Sequence, residues 1–251
     1  MRMGKLSGIR VVDLSLFLPG PMLTLMMADQ GAQVTKVEPP TGDPARTMEP
    51  MEGGESVWFN NLNRGKDCRR LDLKTDEGQA ALWLLIDDAD VLVEGFRPGV
   101  MARLGFDYSA VAARNPGIVY CSVSAFGQTG AMALHPAHDL AVQAHAGFLS
   151  VNDGRDGIPV VPGVPSADMA AGLTGLAAVL MALIGRQATG KGDYLDIAMF
   201  DSLLPWCAHI AGGAIASGPT PVSRTQRSLG GAGFYQVYRT ADDLHVVLGG
   251  R

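Results

Sequence analysis

The sequence predicts an α/β fold in which helices flank a parallel, Rossmann-like sheet. Short β-branched runs alternate with helical segments, and proline or glycine marks many of the junctions. At the N-terminus a strand, a helix and a second strand follow one another within about thirty residues, a connection long enough to join parallel strands. The chain has 251 residues, 47% of them hydrophobic, which is enough for one large domain and part of another.

The first strand–helix–strand unit can be placed closely. Gly8–Leu14 is a β-branched run and predicts a buried strand. Pro21 marks the start of the next helix, since proline is favoured in the first turn, and Met22–Asp29 continues it. Val34–Glu38 is the second strand, closed by two prolines.

Further strands and helices follow the same alternation after a loop predicted over Thr41–Ser56, which is rich in Gly, Pro and Met. The predicted strands are Cys68–Leu73, Asp90–Val93, Ile118–Ser124 and Leu195–Ala198. The predicted helices are Thr75–Asp87, Val100–Leu104, Tyr108–Arg114 and Ala167–Arg186.

Composition near the C-terminus predicts a domain boundary. Residues 1–216 form the large α/β domain, residues 217–224 a Gly/Pro/Ser-rich linker, and residues 225–251 the beginning of a small domain. In that last stretch, Phe234–Tyr238 and Leu244–Leu248 predict a hairpin. Because a domain begun near residue 225 cannot complete a core in 27 residues, we expect its C-terminal part to be missing from this chain.

Charge and composition exclude several classes of protein. A net charge of −5 argues against a nucleic-acid partner but allows a local basic site for a small anion. The three cysteines contain no CxxC pair, and neither a secretion signal nor a run of roughly 18 apolar residues is present, so a cytoplasmic protein with no membrane contact is expected. No GxGxxG, P-loop or HExxH motif supports nicotinamide, nucleotide-triphosphate or zinc chemistry, and neither a metal nor a tightly bound cofactor is expected.

Local sequence leaves the roles of the charged candidates open. Asp168 stands before a long apolar helix, where a carboxylate can simply favour the helix N-terminus. His138, beside Asp139 in a polar loop, is more typical of a surface or structural residue. Arg97 and Arg103 are either solvated charges or phosphate ligands, because a guanidinium group suits phosphate oxygens.

A set of segments in collinear order resembles the class III CoA-transferase family, also called CaiB/BaiF, which includes formyl-CoA transferase and α-methylacyl-CoA racemase. The matching segments are Gly8–Leu14 with Pro19-Gly20-Pro21, Asp29–Ala32 with Lys36-Val37-Glu38, Asn63–Lys66 with Leu71–Lys74, Val93–Gly99, Phe126–Gly130, Ala167–Gly172, and Arg186 with Thr189–Gly192. No single segment is specific, but the ordered set covers essentially the whole chain.

This resemblance implies a use for each candidate residue. Asp168 would be the nucleophile that attacks an acyl-CoA thioester, and the substrates would be an acyl-CoA and a carboxylic acid. Arg97 and Arg103 match the CoA-binding arginines of the family. Weaker candidates for CoA contact are Phe96, Arg64 and Lys66.

The resemblance also implies a mobile glycine loop and a dimer. Gly230, Gly231 and Gly233 resemble the loop that shields the active-site aspartate in transferases, and glycine gives such a loop the freedom to approach an intermediate. Complete members of the family form interlocked homodimers, and a homodimer is expected here.

Three functions follow, with CoA transfer the first. The alternative is 2-methylacyl-CoA racemisation, in which His138 and Asp168 would remove and return the α-proton; the racemase branch carries a His-Asp pair at this spacing. A third possibility is an inactive CoA-binding subunit. Segments 140–144 and 162–165 resemble the transferases more than the racemase.

Overall fold

A computed structural model describes residues 4–154, 156–218, 222 and 226–250. The strands, in chain order, are β1 (Arg10–Asp13), β2 (Gln33–Glu38), β3 (Met51–Glu52), β4 (Glu55–Ser56), β5 (Asp67–Arg70), β6 (Val91–Glu94), β7 (Val119–Ser124), β8 (Asp193–Ala198), β9 (Tyr235–Arg239) and β10 (His245–Gly249). The helices are α1 (Pro19–Asp29), α2 (Val57–Asn63), α3 (Asp76–Asp87), α4 (Val100–Leu104), α5 (Tyr108–Arg114), α6 (Asp139–His145), α7 (Ser166–Thr189), α8 (Met199–Leu203) and α9 (Ala208–Ser217).

Six strands form one parallel sheet in the order β5-β2-β1-β6-β7-β8. If these six alone are numbered along the chain, the order becomes 3-2-1-4-5-6, which is that of the Rossmann fold. The predicted α/β fold with a parallel, Rossmann-like sheet is therefore confirmed. The direction of winding reverses between β1 and β6, so a crevice is expected outside the carboxyl ends of these two strands.

Helices cover both faces of the sheet. On one face Leu92 and Tyr120 pack with Leu82 and Ile86 of α3 in a buried core. On the other face α7 lies against α1: a Cβ placed on Gly175 would be only 2.7 Å from Cδ1 of Leu23. A side chain at this position would displace Leu23, so glycine allows α7 to pack closely against α1.

The predicted elements of the large sheet are confirmed, with shifts of a few residues at some ends. The helices at Val100–Leu104 and Tyr108–Arg114 have the predicted bounds. The predicted loop over Thr41–Ser56 instead contains a short 3-10 turn, Pro44–Thr47, and the two-residue strands β3 and β4. Helices α2, α6, α8 and α9 were not predicted.

The chain divides into two compact units. The first comprises Met1–Pro136 with Asp168–Ser202 and contains the parallel sheet; the second comprises Ala137–Ala167 with Leu203–Arg251 and contains the antiparallel β9–β10 hairpin. This division differs from the predicted one, since residues 137–167 and 203–216 group with the C-terminal residues. Of the predicted linker, residues 219–221, 223 and 224 lie outside the described residues.

Helix α7 is long and apolar enough to cross a membrane by length and composition alone. A core helix of a soluble protein meets the same criterion. Ala170, Ala171 and Val179 of this helix are fully buried, and Gly172 and Gly175 lie against α1. We therefore interpret α7 as a core helix.

Candidate active site

The crevice at the switch point is bordered by the loops that follow β1 and β6. Ser15 is the second residue of the first loop, and Gly95 is the first residue of the second. A Cβ on Gly95 would lie 3.4 Å from Cβ of Ser15, so the two loops meet at the carboxyl end of the sheet. This is where ligands bind in doubly wound α/β folds.

Ser15 is fixed by two buried charges beneath the crevice. Oδ1 of Asp13 accepts a 2.9 Å hydrogen bond from the Ser15 N–H and a short one from its hydroxyl. Nζ of Lys36 donates to the carbonyl oxygen of Ser15 at 2.7 Å. Asp13 and Lys36 are both fully buried, so the start of this loop is held from below.

The same aspartate is the centre of a buried ion network. Oδ2 of Asp13 accepts from the Thr24 hydroxyl at 2.5 Å and from Nζ of Lys66 at 3.2 Å. Burial alone would raise the pKa of Asp13, but the charges of Lys66 and Lys36 and the bonds from Ser15 and Thr24 lower it to about 2. The carboxylate therefore stays ionised inside the fold.

A second part of the ion network holds the segment after β2. Glu38 accepts two 2.7 Å hydrogen bonds from Arg46, and Lys36 lies 3.0 Å from Oδ2 of Asp43. The Arg46 guanidinium also lies 3.8 Å above the centre of the Phe59 ring. Although burial would raise the pKa of Glu38, the bonds from Arg46 and the Asp43 N–H hold it below its ordinary value.

The loop after β6, Gly95–Gly99, carries the predicted phosphate ligands. Arg97 lies within it and Arg103 in α4, which follows it, and both side chains are exposed. Neither guanidinium forms a hydrogen bond or ion pair with another residue in the described part of the chain. Gly99 has a left-handed backbone, and a Cβ there would lie 3.5 Å from the Arg103 guanidinium, so Arg103 folds back toward this loop.

The weaker CoA-contact candidates have partners within the protein. Phe96 is half-buried against the hydrophobic core, which leaves part of its ring accessible. Arg64 is bound to Asp29 at 2.5 Å and to the Asn61 carbonyl. Besides Asp13, Lys66 donates to the Pro21 carbonyl and to Asn63 Oδ1, each at 2.9 Å, and its side chain is fully buried. These contacts occupy all three ammonium protons of Lys66.

Asp168 stands in the first turn of α7 and is half-buried. One helical turn later, a Cβ on Gly172 would lie 3.0 Å from the Pro19 carbonyl oxygen and 3.5 Å from Sδ of Met22. The first turns of α7 thus lie against the start of α1, which follows the Ser15 loop. The partial positive charge of a helix N-terminus favours a carboxylate at this position.

His138 and Asp139 belong to the second compact unit. His138 is the residue before α6, and its carbonyl accepts the Val142 N–H at 3.1 Å. Asp139 accepts the Ala167 N–H at 2.8 Å and the Gln143 amide at 2.5 Å. The start of α7 is therefore tied to Asp139 through Ala167, the residue before Asp168.

The predicted glycine loop is bound to the hairpin that follows it. The Gly230 carbonyl accepts from the Gln236 amide at 2.7 Å, and the Gly233 carbonyl accepts from the Tyr238 hydroxyl at 2.7 Å. The Gly231 N–H donates to the Gln226 carbonyl. The left-handed backbone of Gly230, at φ 92°, explains a glycine at that position.

Sequence reasoning missed a buried carboxylate at the end of β6. Glu94 is only 3% exposed, and its Oε2 accepts the Phe96 N–H at 2.8 Å. Burial raises its pKa to about 7, against the opposing effect of hydrogen bonds from Ser122 and Phe96. A charged residue at the end of the apolar run Val91–Val93 is the signal that marks it, as for Asp13 at the end of β1. In the described ranges no three His, Cys, Asp or Glu side chains are placed to hold a metal ion.

Comparison with known proteins gives consistent matches. A sequence model of CoA-transferase family III matches residues 6–251. The acetyl-CoA:oxalate CoA-transferase of Acetobacter aceti is 42% identical over 221 residues, covering 87% of this chain and 57% of that protein. The succinate–glutarate CoA-transferase of Agrobacterium fabrum is 36% identical over 250 residues, covering 96% and 62%.

Comparison with solved structures also gives a match to this family. A CaiB/BaiF family protein from Brucella suis superposes with a TM-score of 0.90 at 34% identity, over 98% of this chain and 66% of that one. The chain spans about three fifths of the length of the two curated relatives named here. On the family match and these relatives together, the chain belongs to CoA-transferase family III, the CaiB/BaiF family.

Proposed function

We propose that the protein containing this chain transfers CoA from an acyl-CoA donor to a carboxylic-acid acceptor. One observation carries this proposal: Asp168 lies in the first turn of a helix that packs against α1, beside the switch-point loops. Arg97 and Arg103, which have no ion-pair partner among the described residues, belong to one of those loops and to the helix after it. This arrangement supports a nucleophile and an anion-binding site at the carboxyl end of the same sheet. Named relatives that transfer CoA between carboxylic acids support it.

Asp168 would act by covalent catalysis. Its carboxylate attacks the thioester carbonyl of the donor and expels CoA thiolate, which leaves a mixed anhydride. The thiolate then attacks the aspartyl carbonyl, releases the donor acid and forms an aspartyl-CoA thioester. The acceptor carboxylate attacks the carbonyl of the aspartyl-CoA thioester, which forms a second anhydride and releases CoA thiolate again. The thiolate then attacks the acyl carbonyl of the acceptor, forms the product acyl-CoA and frees the Asp168 carboxylate.

Arg97 and Arg103 would bind the CoA phosphates, because a guanidinium group remains charged and donates hydrogen bonds in a planar arrangement that suits phosphate. The exposed part of the Phe96 ring would contact the adenine. Gly230, Gly231 and Gly233 would cover the intermediate in the complete protein. A cytoplasmic location and a homodimer belong to the same proposal.

The activity is tested with acetyl-CoA or succinyl-CoA and ¹³C-labelled oxalate, glutarate or mesaconate. Label appearing in a thioester, with release of the unlabelled donor acid, is the expected result. Hydroxylamine added during turnover should convert Asp168 to a hydroxamate, which peptide mass spectrometry locates. Asp168→Ala should abolish both signals, and label transfer that survives this change would refute the assignment.

Two other functions can be distinguished from CoA transfer with the same protein. Exchange of the α-proton of a 2-methylacyl-CoA with deuterium from solvent, without any acceptor acid, would instead identify a racemase that uses His138 and Asp168. CoA binding with neither reaction would identify a binding subunit. His138→Asn distinguishes the racemase from the transferase, because this change should stop proton exchange and leave CoA transfer largely intact.

A further inference from the structure

We infer that the ionised carboxylate of Glu94 is a positioning group for CoA: it holds the Gly95–Gly99 loop in the conformation that presents Arg97 and Arg103 to the CoA phosphates. The inference rests on the proposed CoA binding and assigns a role within it to a residue that does not itself contact the reacting atoms.

The first support is the position of Glu94 at the junction of strand and loop. It is the last residue of β6, and the loop begins at the next residue. Its Oε2 accepts the Phe96 N–H at 2.8 Å, a bond that turns the backbone immediately before Arg97. The Arg97 carbonyl in turn accepts the Val100 N–H at the start of α4. The carboxylate therefore anchors the first part of the loop that leads into the helix bearing Arg103.

The second support is a polar row across three strands. The strand register aligns Glu94 with Ser122 of β7, and Ser122 with Asp196 of β8. The register places Ser122 beside Glu94, and hydrogen bonding from Ser122 lowers the pKa of Glu94. Asp196 instead accepts the Gln128 N–H through both of its oxygens, at 3.1 and 2.9 Å. Glu94 has no salt-bridge partner among the described residues, so its contacts with Phe96 and Ser122 are what stabilise its charge.

Ionisation decides whether both contacts can persist. An ionised carboxylate accepts hydrogen bonds at both oxygens, and charge-assisted bonds are about twice as strong as neutral ones. Protonation turns one oxygen into a donor, so the Phe96 N–H and the Ser122 hydroxyl no longer both meet charged acceptors. The loop is accordingly held more firmly when Glu94 is ionised.

Burial and surroundings place this change near neutral pH. Burial, aided by the Asp196 charge, raises the pKa of Glu94 to about 7. The other titratable groups near it are Tyr120, Cys121 and Tyr194, and burial raises the pKa of each, so all three stay neutral over the working range. Leu14, the residue after β1, is buried, donates its N–H to the Val93 carbonyl and adds no charge. Asp196 is thus the charged neighbour of Glu94 among the described residues.

The test is the dissociation constant of CoA itself, measured by calorimetry from about pH 5.5 to about pH 8.5. Glu94→Gln keeps an oxygen acceptor for Phe96 but cannot ionise, and Glu77→Gln, at an exposed position in α3, is the matched control. The ratio of the Glu94→Gln constant to that of the unmodified protein should rise from near one at low pH to about fivefold at high pH. Titration of the CoA phosphates cancels in this ratio, and Glu77→Gln should follow the unmodified protein throughout.

A ratio that does not change with pH would overturn the role of Glu94 and leave the proposed function intact. Absence of CoA binding at every pH would overturn the proposed function and, with it, this role. Should Glu94→Gln fail to fold, Ser122→Ala provides an independent measurement. The Ser122 bond lowers the pKa of Glu94, so losing it should move the pH at which the CoA dissociation constant changes to a higher value. If that pH is the same in Ser122→Ala as in the unmodified protein, the inference is contradicted.

Discussion

Nζ of Lys66 lies 3.2 Å from Oδ2 of Asp13, although 53 residues separate them in the sequence and neither side chain is exposed. The pair joins the segment after α2 to the end of β1, directly beneath the loop that contains Ser15. Its members also bind Thr24, Asn63 and the Pro21 carbonyl. The pair therefore connects β1, α1 and α2 around the switch point.

Lys66→Met should lower the free energy of unfolding by about 3–5 kcal/mol, since it leaves the Asp13 carboxylate buried beside fewer positive charges. Urea denaturation at neutral pH measures the loss. Lys5→Met, which changes an exposed lysine, should have an effect within about 0.5 kcal/mol. If Lys66 instead bound CoA directly, the variant would keep its stability and lose only affinity for acyl-CoA.

Asp13 should also contribute to acid denaturation. Its pKa is about 2 in the fold against 3.8 for an unperturbed aspartate, so its stabilising effect is complete above pH 3.8 and is lost as pH falls toward 2. Between these values Asp13→Asn, although less stable at neutral pH, should show a smaller decline in unfolding free energy than the unmodified protein. Equal declines would show that other carboxylates dominate this range.

Glu94 should have the opposite effect on stability. Its pKa is raised from 4.5 to about 7, so the folded state retains a proton that the unfolded state releases, and stability falls as pH rises between these values. Glu94→Gln removes this penalty and should gain on the order of 3 kcal/mol relative to the unmodified protein between acid and weakly alkaline pH. Thermal unfolding at a series of pH values measures the change, and parallel curves would contradict the raised pKa.

Arg97 and Arg103 should act on substrate affinity with little effect on folding. Neither forms an ion pair with a described residue, so Arg97→Ala and Arg103→Ala should each raise KM for acyl-CoA by about tenfold, with kcat nearly constant. Arg114→Ala is the matched control, since that arginine is exposed and paired with Asp87 on α3. Steady-state kinetics with varied donor would detect the difference, and a KM unchanged in both variants would remove these residues from the CoA site.

Much of the fold could be predicted because apolar runs report buried strands directly. The run that ends at Glu94 is one such strand, and the proline in the first turn of α1 marks a helix start. Helix α2 was missed because its sequence, Val57–Asn63, contains three asparagines and residues of low helix propensity. It depends instead on the Ser56 cap and on the stacking of Arg46 over Phe59, both of which are tertiary or capping contacts.

The candidate site was predicted only in part, for a related reason. Asp168 and the loop arginines belong to linear motifs, which can be recognised in the sequence. Which charged residues are buried together cannot be recognised in this way. Lys66 was a candidate for CoA contact, but its protons are bound by Asp13, Asn63 and the Pro21 carbonyl. A pairing across the sheet depends on strand order, which a local pattern does not contain.

Gly20, in the first turn of α1, should tolerate a side chain poorly because it packs against the switch-point loop. A Cβ there would lie 2.2 Å from Oγ and 2.3 Å from Cβ of Ser15, and Ser15 cannot turn away because Asp13 binds both its N–H and its hydroxyl. Gly20→Ala should therefore destabilise the protein by roughly 2–4 kcal/mol and displace the loop, as overpacking at a rigid site does. Urea denaturation measures the loss of stability, and CoA affinity reports the displacement of the loop.

Gly130→Ala is the comparison: its Cβ would meet open space but would require a left-handed backbone, at φ 93°, so it should cost about 1 kcal/mol from backbone strain alone. If Ser15→Gly, introduced together with Gly20→Ala, failed to recover any stability, the steric explanation would be wrong, because this double variant removes both the Oγ and the Cβ of Ser15 that obstruct the new methyl group.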